Sequence, residues 1–487
     1  MTTQAEQRAV DDVPKSLLIA GRWQDAGGGA TFEVHDPSTG APLCEVADAN
    51  PDDGQAALAA AAEAQGEWGA HPPRGRAEIL RRAFEALMDR QDELALLMTL
   101  EMGKPLADSR GEIAYAAEFL RWFSEEACRI EGSYQVAPAG GSRLLTMRQP
   151  VGPCLFITPW NFPTAMGTRK IGPAMAAGCT MVVKPASETP LSMLALARVF
   201  EECGVPPGVL NVVTTSTSGK VMEPLIRDSR ARKLSFTGST AVGRTLVEQS
   251  AQQLLRVSME LGGNAPFLVF DDADLDAAVD GALSAKMRNI GEACTAANRF
   301  HVHESVADEF SRRLAERMGS MRVGRGTDEG VQVGPLITER ARAGVAELVA
   351  DATDHGGKIL VGGEQPDGPG WFYPPTVITQ VSPDARVFRE EIFGPVAPIT
   401  TFATDDEAFR LANDTEYGLI AYAFTRDLKR ALAVAEGLET GLVGLNAGVI
   451  SNPAAPFGGI KASGFGREGG REGIEEYLEV KYVGLAL

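Results

Sequence analysis

Between Arg288 and Arg299 the chain reads RNIGEACTAANR, a run that sets one thiol, Cys294, among small residues. A cysteine nucleophile needs room for a reacting carbon, backbone N–H groups free to hold an oxyanion, and a positive field that favours thiolate over thiol. The run offers all three, with Gly291 three positions earlier and an arginine at each end. A buried structural cysteine is the other reading of the same residues. Glu260 stands between Met259 and Leu261-Gly262-Gly263. A carboxylate in apolar company has a raised pKa and serves as a base near neutrality. The plainer reading of Glu260 is a surface residue before a glycine turn.

Two turns follow apolar strand patterns. In Thr158-Pro159-Trp160-Asn161-Phe162-Pro163 the prolines set the turn and the Asn161 amide is placed to donate to an oxyanion. In Val182-Val183-Lys184-Pro185-Ala186-Ser187, Lys184 and Ser187 are offered to a ribose or phosphate. Ligands of open α/β sheets bind at such strand ends. A third candidate is Phe236-Thr237-Gly238-Ser239-Thr240, which follows a strand and opens a helix. Gly238 admits close backbone approach, and the capped helix start presents N–H groups to a pyrophosphate. The run Gly464 to Gly469 matches G-x-G-x-x-G, but it lies too near the C-terminus for a βαβ unit and is rejected as a phosphate loop. His301 and His303 alternate in a strand-like run with no Cys or acid cluster to complete a metal site. They read as a polar pair on an exposed strand face, and no metal is expected.

At 487 residues the chain has length for two to four domains. A net charge of −19 opposes nucleic-acid binding, which needs a basic face. The six cysteines are scattered, with no C-x-x-C pair, and read as thiols of a reducing compartment, the cytoplasm. No apolar run is long enough to span a membrane, and the acidic start of the chain has neither a signal-peptide core nor a transit-peptide composition.

The elements that must position these residues follow from periodicity. Residues 1–14 read as a disordered arm, followed by a β meander over 16–34 and helices near 51–66, 74–101 and 106–129. A hairpin occupies 131–149. From 151, short apolar strands near 153–158, 180–184, 209–214 and 232–236 alternate with helices near 165–177, 190–203, 217–227 and 239–251. That is the pattern of a parallel sheet covered on both faces. The alternation pauses around 257–263, resumes with a strand at 267–270, and continues to about 445. The closing strand pattern, 477–483, has no later partner and suits addition to a neighbour's sheet.

With these pieces placed, the chain resembles the aldehyde dehydrogenase superfamily from about residue 16 to its end. The motifs are PWNFP at 159–163, KPAS at 184–187, FTGST at 236–240, MELGGNAP at 259–266, GEACTAANR at 291–299, EEIFGP at 390–395 and PFGGIKASGFGREG at 456–469. The resemblance implies an α/β fold with two Rossmann-like parallel-sheet domains and a small β oligomerisation arm. The cofactor domain is expected over 1–130 and 150–258, the catalytic domain over 259–463, and the arm over 131–149 and 464–487. A homodimer or homotetramer follows from that arm.

The resemblance also implies roles. Cys294 is the nucleophile, Glu260 the base that activates the deacylating water, and Asn161 with the Cys294 N–H the oxyanion hole. Trp160, Asn161, Lys184, Pro185, Ala186, Ser187, Gly238, Ser239, Leu261, Glu391 and Phe393 contact the nicotinamide cofactor. The implied chemistry runs through a thiohemiacetal, hydride transfer and a thioester that water hydrolyses. Thr168-Arg169-Lys170, Arg288 and Gly448-Val449-Ile450-Ser451-Asn452 look most like the succinate-semialdehyde dehydrogenases. In that branch Arg169, Arg288, Ser451 and Phe457 bind the substrate, and paired guanidiniums suit its far carboxylate. Glutarate semialdehyde, one methylene longer, is the alternative substrate. A cationic amino-aldehyde is disfavoured by the arginines, and a non-catalytic scaffold by the intact Cys294, Glu260 and Asn161. Two departures matter. Ala296 stands where some relatives carry a second cysteine, so no redox-switch disulfide is expected. Ser187 stands where NAD-preferring relatives often have Glu, which leaves room for a 2′-phosphate; NADP is expected to be preferred with NAD tolerated, although Glu188 next door works against this.

Overall fold

The computed structural model describes residues 3–486. Two mixed, largely parallel sheets carry the chain. In the first, five parallel strands run in the spatial order Leu210–Val212, Met181–Lys184, Cys154–Ile157, Lys233–Thr237, Arg256–Glu260. Every residue of the middle three strands is buried. Apolar runs without alternation therefore pack helices against both faces, among them Ala165–Ala177 and Pro190–Glu202. The hairpin Leu17–Ile19 and Arg22–Gln24 closes one edge antiparallel, and Gly464–Phe465 closes the other against Met259 and Glu260. In the second sheet Thr376–Thr379, Val396–Phe402, Ala297–His303, Ala265–Val269, Ile420–Phe424 and Leu442–Leu445 run parallel, with Lys358–Val361 antiparallel at the edge. The expected α/β class with two Rossmann-like sheets is what the chain adopts.

Register places the chemistry. Ile157 pairs with Lys184, and Thr237 with Glu260, so the turns after these four strands leave from one edge of the first sheet. In the second sheet Ala265 pairs with Ala297. The segments just before them, 261–264 and 294–296, therefore lie side by side. The gap between the C-terminal edge of one sheet and the N-terminal edge of the other is where all these turns converge.

Several sequence expectations are corrected. The arm over 1–14 contains a helix, Gln4–Asp11, while residues 1 and 2 lie outside the described residues. Thr3 and Glu6 form a reciprocal capping box, and Glu6 meets Arg325 at 3.0 Å. A helix this short is marginal alone and forms because tertiary contacts hold it. The helix expected over 74–101 is two, Pro73–Asp89 and Gln91–Met102. The first buries one face, whereas every residue of the second from Leu97 onward is buried, so the chain must turn at Arg90 to bring the second piece inside. The pause at 257–263 contains a strand, Arg256–Glu260. His301 is not on an exposed face: its strand is central and covered on both sides, and only His303 reaches outward to Ser305. The closing strand, Leu478–Ala486, finds its partner within the chain, pairing with Ser142–Pro150 over nine positions in a three-stranded sheet with Ser133–Val136. Among the described residues no helix is long and apolar enough to cross a membrane.

Candidate active site

Cys294 sits between the helix Leu275–Met287 and the strand Ala297–His303. Before it, Asn289, Ile290 and Gly291 take φ values of 54°, 63° and 80°, three left-handed residues in succession. A β-branched residue there is strained by about 1–2 kcal/mol. Complete burial of Ile290 and the bonds of Asn289 hold the conformation. A Cβ on Gly291 would stand 2.3 Å from the Gly394 carbonyl, so no other residue fits. Gly263 has the same role on the facing segment, where a Cβ would stand 2.4 Å from the Cys294 carbonyl. These two contacts explain why glycine precedes Cys294 and follows Glu260.

A cavity of about 270 Å³ opens between the two sheet edges. It is lined by Cys294, Glu260, Asn161, Trp160, Gly238, Ser239, Leu261, Glu391, Phe393, Arg169, Arg288, Ser451 and Phe457. Residues far apart in sequence thus meet in one space. Asn161 Nδ2 donates to the Glu292 carbonyl at 2.9 Å, with a second N–H still to place. Glu260 ends its strand fully surrounded by protein, and neither carboxylate oxygen has a hydrogen-bond partner among the described residues. Burial, then the charge of Glu468, raises its pKa well above the usual carboxylate range, against the pull of Arg169 and Lys170.

The thiol departs from expectation. Burial pushes Cys294 up to about 12, Arg169 pulls it back first among the charges, Glu391 and Glu260 push it up again, and Arg288 lowers it. The side chain keeps some surface open to the cavity, yet protein surrounds it densely enough that desolvation dominates. The expected field from arginines at both ends of the run is not what forms. Arg299 turns away and donates to the carbonyls of Asn264, Leu411 and Ala412 at 2.8–2.9 Å. The positive charge comes instead from Arg288 and from Arg169, on the helix Ala165–Ala177.

Arg169 is buried, with its guanidinium 3.9 Å over the Phe457 ring. Its Nε lies 2.9 Å from a Glu468 carboxylate oxygen, but off the hydrogen-bond direction, so Nε and Nη2 have no acceptor among the described residues. Arg288 lies over Phe162 and Tyr115 at 5.1 and 5.6 Å and forms no salt bridge among the described residues. Tyr115, Phe162, Met166 and Thr295 complete the wall. Phe162 and Thr295 lie within motifs; Tyr115 and Met166 are helix residues with no signal beyond the period of their helices.

Lys184, Pro185, Ala186 and Ser187 do not line this cavity. Lys184 ends its strand buried, donates to Ser218 Oγ at 2.8 Å, and has no salt bridge among the described residues. Burial lowers its pKa to about 8. Ser187 lines a separate hollow with Glu188 and Ser216, its hydroxyl donating to Glu188 at 3.1 Å. Ser239 caps the helix Thr240–Ser250, whose start opens on the main cavity. Glu391 accepts the Gly263 N–H at 3.1 Å, and burial raises it to about 7. A buried ammonium with no salt bridge among the described residues and an open helix start are suited to the ribose and phosphates of a dinucleotide. No group of three or more His, Cys, Asp or Glu side chains arranged for a metal occurs among the described residues.

Comparison with known proteins agrees with this geometry. The model of the aldehyde dehydrogenase family matches residues 23–483. A succinate-semialdehyde dehydrogenase of Paenarthrobacter nicotinovorans is 58% identical over 91% of this chain and 99% of its own length. The NADP(+) succinate-semialdehyde dehydrogenase of Escherichia coli (strain K12) is 51% identical over 97% and 98%. A glutarate-semialdehyde dehydrogenase of Pseudomonas putida is 50% identical over 96% and 97%. The crystal structure of succinate-semialdehyde dehydrogenase from Burkholderia pseudomallei superposes with a TM-score of 0.96 at 48% identity, covering all of both chains. With a thiol, a buried carboxylate and an amide brought into one cavity, and a family match along nearly its whole length, the chain belongs to the aldehyde dehydrogenase family.

Proposed function

We propose that the chain oxidises a short semialdehyde carrying a distal carboxylate, succinate semialdehyde foremost, to the corresponding diacid. The observation that carries this reading is the cavity holding Cys294, lined by both Arg288, which forms no salt bridge among the described residues, and the buried Arg169, whose Nε meets Glu468 while Nη2 lacks an acceptor. A buried cation left short of acceptors favours an anionic partner, and a planar guanidinium suits a carboxylate. Ser451 adds a hydroxyl and Phe457 an apolar wall.

In this reading Cys294 Sγ attacks the aldehyde carbon. Negative charge collects on the carbonyl oxygen, where Asn161 Nδ2 and the Cys294 N–H stabilise it; that N–H has no acceptor among the described residues. A bound nicotinamide dinucleotide would supply the hydride acceptor, held by Lys184, the helix start at Ser239, Glu391 and Phe393. Glu260 then takes a proton from the water that hydrolyses the thioester. Its raised pKa makes it a stronger base than an ordinary carboxylate.

NADP is the favoured dinucleotide, with NAD accepted, since Ser187 is short and the Escherichia coli relative is described as acting with NADP(+). Glu188, which accepts from the Ser187 hydroxyl at 3.1 Å, places a carboxylate there and opposes the preference. Initial rates with each dinucleotide test this, and a kcat/KM ratio favouring NAD would reverse it. Glutarate semialdehyde remains a second substrate on the strength of the Pseudomonas putida relative. One methylene discriminates by only about 1–3 kcal/mol.

The substrate reading has a direct test. Arg288→Ala is expected to lower kcat/KM for succinate semialdehyde about 100-fold, the scale of a charge-assisted contact. It should change an uncharged aldehyde such as butanal by less than about 3-fold. Equal losses on both substrates would remove the carboxylate site while leaving the dehydrogenase.

The division of labour we propose has a cofactor unit over 1–130 and 150–258, a catalytic unit over 259–463, and an arm from 131–149 and 464–487, although the first sheet extends past these bounds to Glu260 and takes Gly464–Phe465 as its edge strand. Tyr134, Val136, Val480 and Tyr482 are more than half exposed on the three-stranded sheet. An apolar surface of that kind fits a homodimer or homotetramer. A monomeric mass by light scattering would overturn it. Six free cysteines fit a reducing compartment such as the cytoplasm.

A further inference from the structure

Lys104 follows the helix Gln91–Met102 in a Gly-Lys-Pro turn that reads in sequence as no more than a helix stop. In the fold it is fully buried. Its ammonium donates to Glu112 Oε2 at 2.6 Å and to the main-chain carbonyl of Asn161 at 2.7 Å. It also lies 4.4 Å over the ring of Phe162, the next residue. The other oxygen of Glu112 accepts the N–H groups of Thr164 and Ala165 at 3.0 and 3.1 Å, where the helix carrying Arg169 begins. Asn289 Nδ2 makes a second bond to the Asn161 carbonyl, at 3.1 Å, and bonds the Glu292 carbonyl at 2.9 Å, the same carbonyl that accepts from Asn161 Nδ2.

Both ends of Asn161 are thus tied. Its carbonyl is held by Lys104 and Asn289, and its amide shares an acceptor with Asn289. A buried ion pair is weak evidence of stabilisation, because desolvation offsets the attraction. What this pair supplies is position, since Lys104 Nζ bonds the Asn161 carbonyl and Glu112 Oε1 the N–H groups of Thr164 and Ala165, while Glu112 Oε2 ties the two together.

We propose that Lys104, Glu112 and Asn289 are positioning residues that fasten the Asn161 turn so that its free N–H meets the oxyanion. The inference rests on the reading of Asn161 as an oxyanion donor. A misplacement of about 1 Å in a catalytic group costs about 100-fold in rate, and loss of one oxyanion donor about 100- to 1,000-fold.

The test is a mutant cycle on the full-length enzyme, read by single-turnover NADPH formation and by steady-state kcat and KM with succinate semialdehyde. Asn161→Ala sets the scale. Lys104→Gln combined with Glu112→Gln removes both charges, so neither is left buried alone. In the otherwise wild-type chain this pair of changes is expected to slow the chemical step about 10- to 100-fold while KM moves less than about 3-fold. In the Asn161→Ala background the same pair should cost less than about 2-fold, because the group being positioned is gone. Equal losses in both backgrounds, or no loss in the first, overturn the clamp. Should the double change not fold, Asn289→Gly tests the clamp by the same cycle, since it keeps the ion pair and tolerates the left-handed backbone. A loss confined to the chain that retains Asn161 supports the clamp, and an equal loss in both backgrounds sinks it. Asn161→Ala with undiminished turnover would remove the oxyanion reading itself, and the clamp with it.

Discussion

Cys294→Ala is expected to lower aldehyde turnover by about 10⁴-fold or more, with the folded state intact. Cys294 carries the only thiol on the cavity wall among the described residues, and no amine lines it there. Without it neither the thiohemiacetal nor the thioester forms. Removing one sulfur that already faces open space costs about 1 kcal/mol or less of stability. The loss therefore appears in kcat at unchanged Tm. Because burial holds the thiol near 12 in the free chain, the wild type should react slowly with neutral alkylating agents at pH 7 until a proton acceptor engages it. Turnover by the alanine variant within about 10-fold of wild type would place the chemistry on another group.

Glu260→Gln is expected to separate the two halves of the reaction. Acylation proceeds once per active site and releases one equivalent of reduced cofactor. Hydrolysis then lags, so steady-state kcat falls about 10²- to 10⁴-fold behind a burst. The pH profile carries a second signature. Burial and the neighbouring Glu468 raise the folded-state pKa of Glu260. The carboxyl is protonated and inert as a base below that value, and becomes a base as pH rises through it. Wild-type deacylation should therefore climb with pH, and the glutamine variant should lose that climb. A variant that kept both the steady-state rate and the rising limb would assign the base elsewhere.

Much of the site is legible in the order of residues because turn chemistry and strand ends are local. PWNFP follows an apolar strand and KPAS another, so Asn161 and Lys184 fall at the sheet edge before any coordinates are known. Ser239 was readable as a helix cap for the same reason. The close backbone approach that requires glycine at 263 and 291 shows only in the fold, which brings the Cys294 and Gly394 carbonyls against them. Failures arise where a residue's partner is remote. Arg299 looked like part of the nucleophile's field and instead serves three carbonyls. His301 looked exposed because alternation is visible in sequence and the neighbouring strands are not. The helix at 4–11 leans on Arg325 and on the core beneath it, neither of which the residue order places nearby.

The residue order by itself offered the candidate nucleophile, base and amide donor and set the alternation of strands and helices, since each depends on a few neighbours or on a short period. Tertiary structure decided the rest. It chose Arg169 over Arg299 as the cation near Cys294, raised Glu260 by burial and then by the charge of Glu468, and turned Lys104 from a helix stop into a buried anchor for Asn161. Those outcomes are set by which charges share one poorly solvated volume, where Coulomb and desolvation energies are several times larger than in water, and chain order does not state which groups will share it.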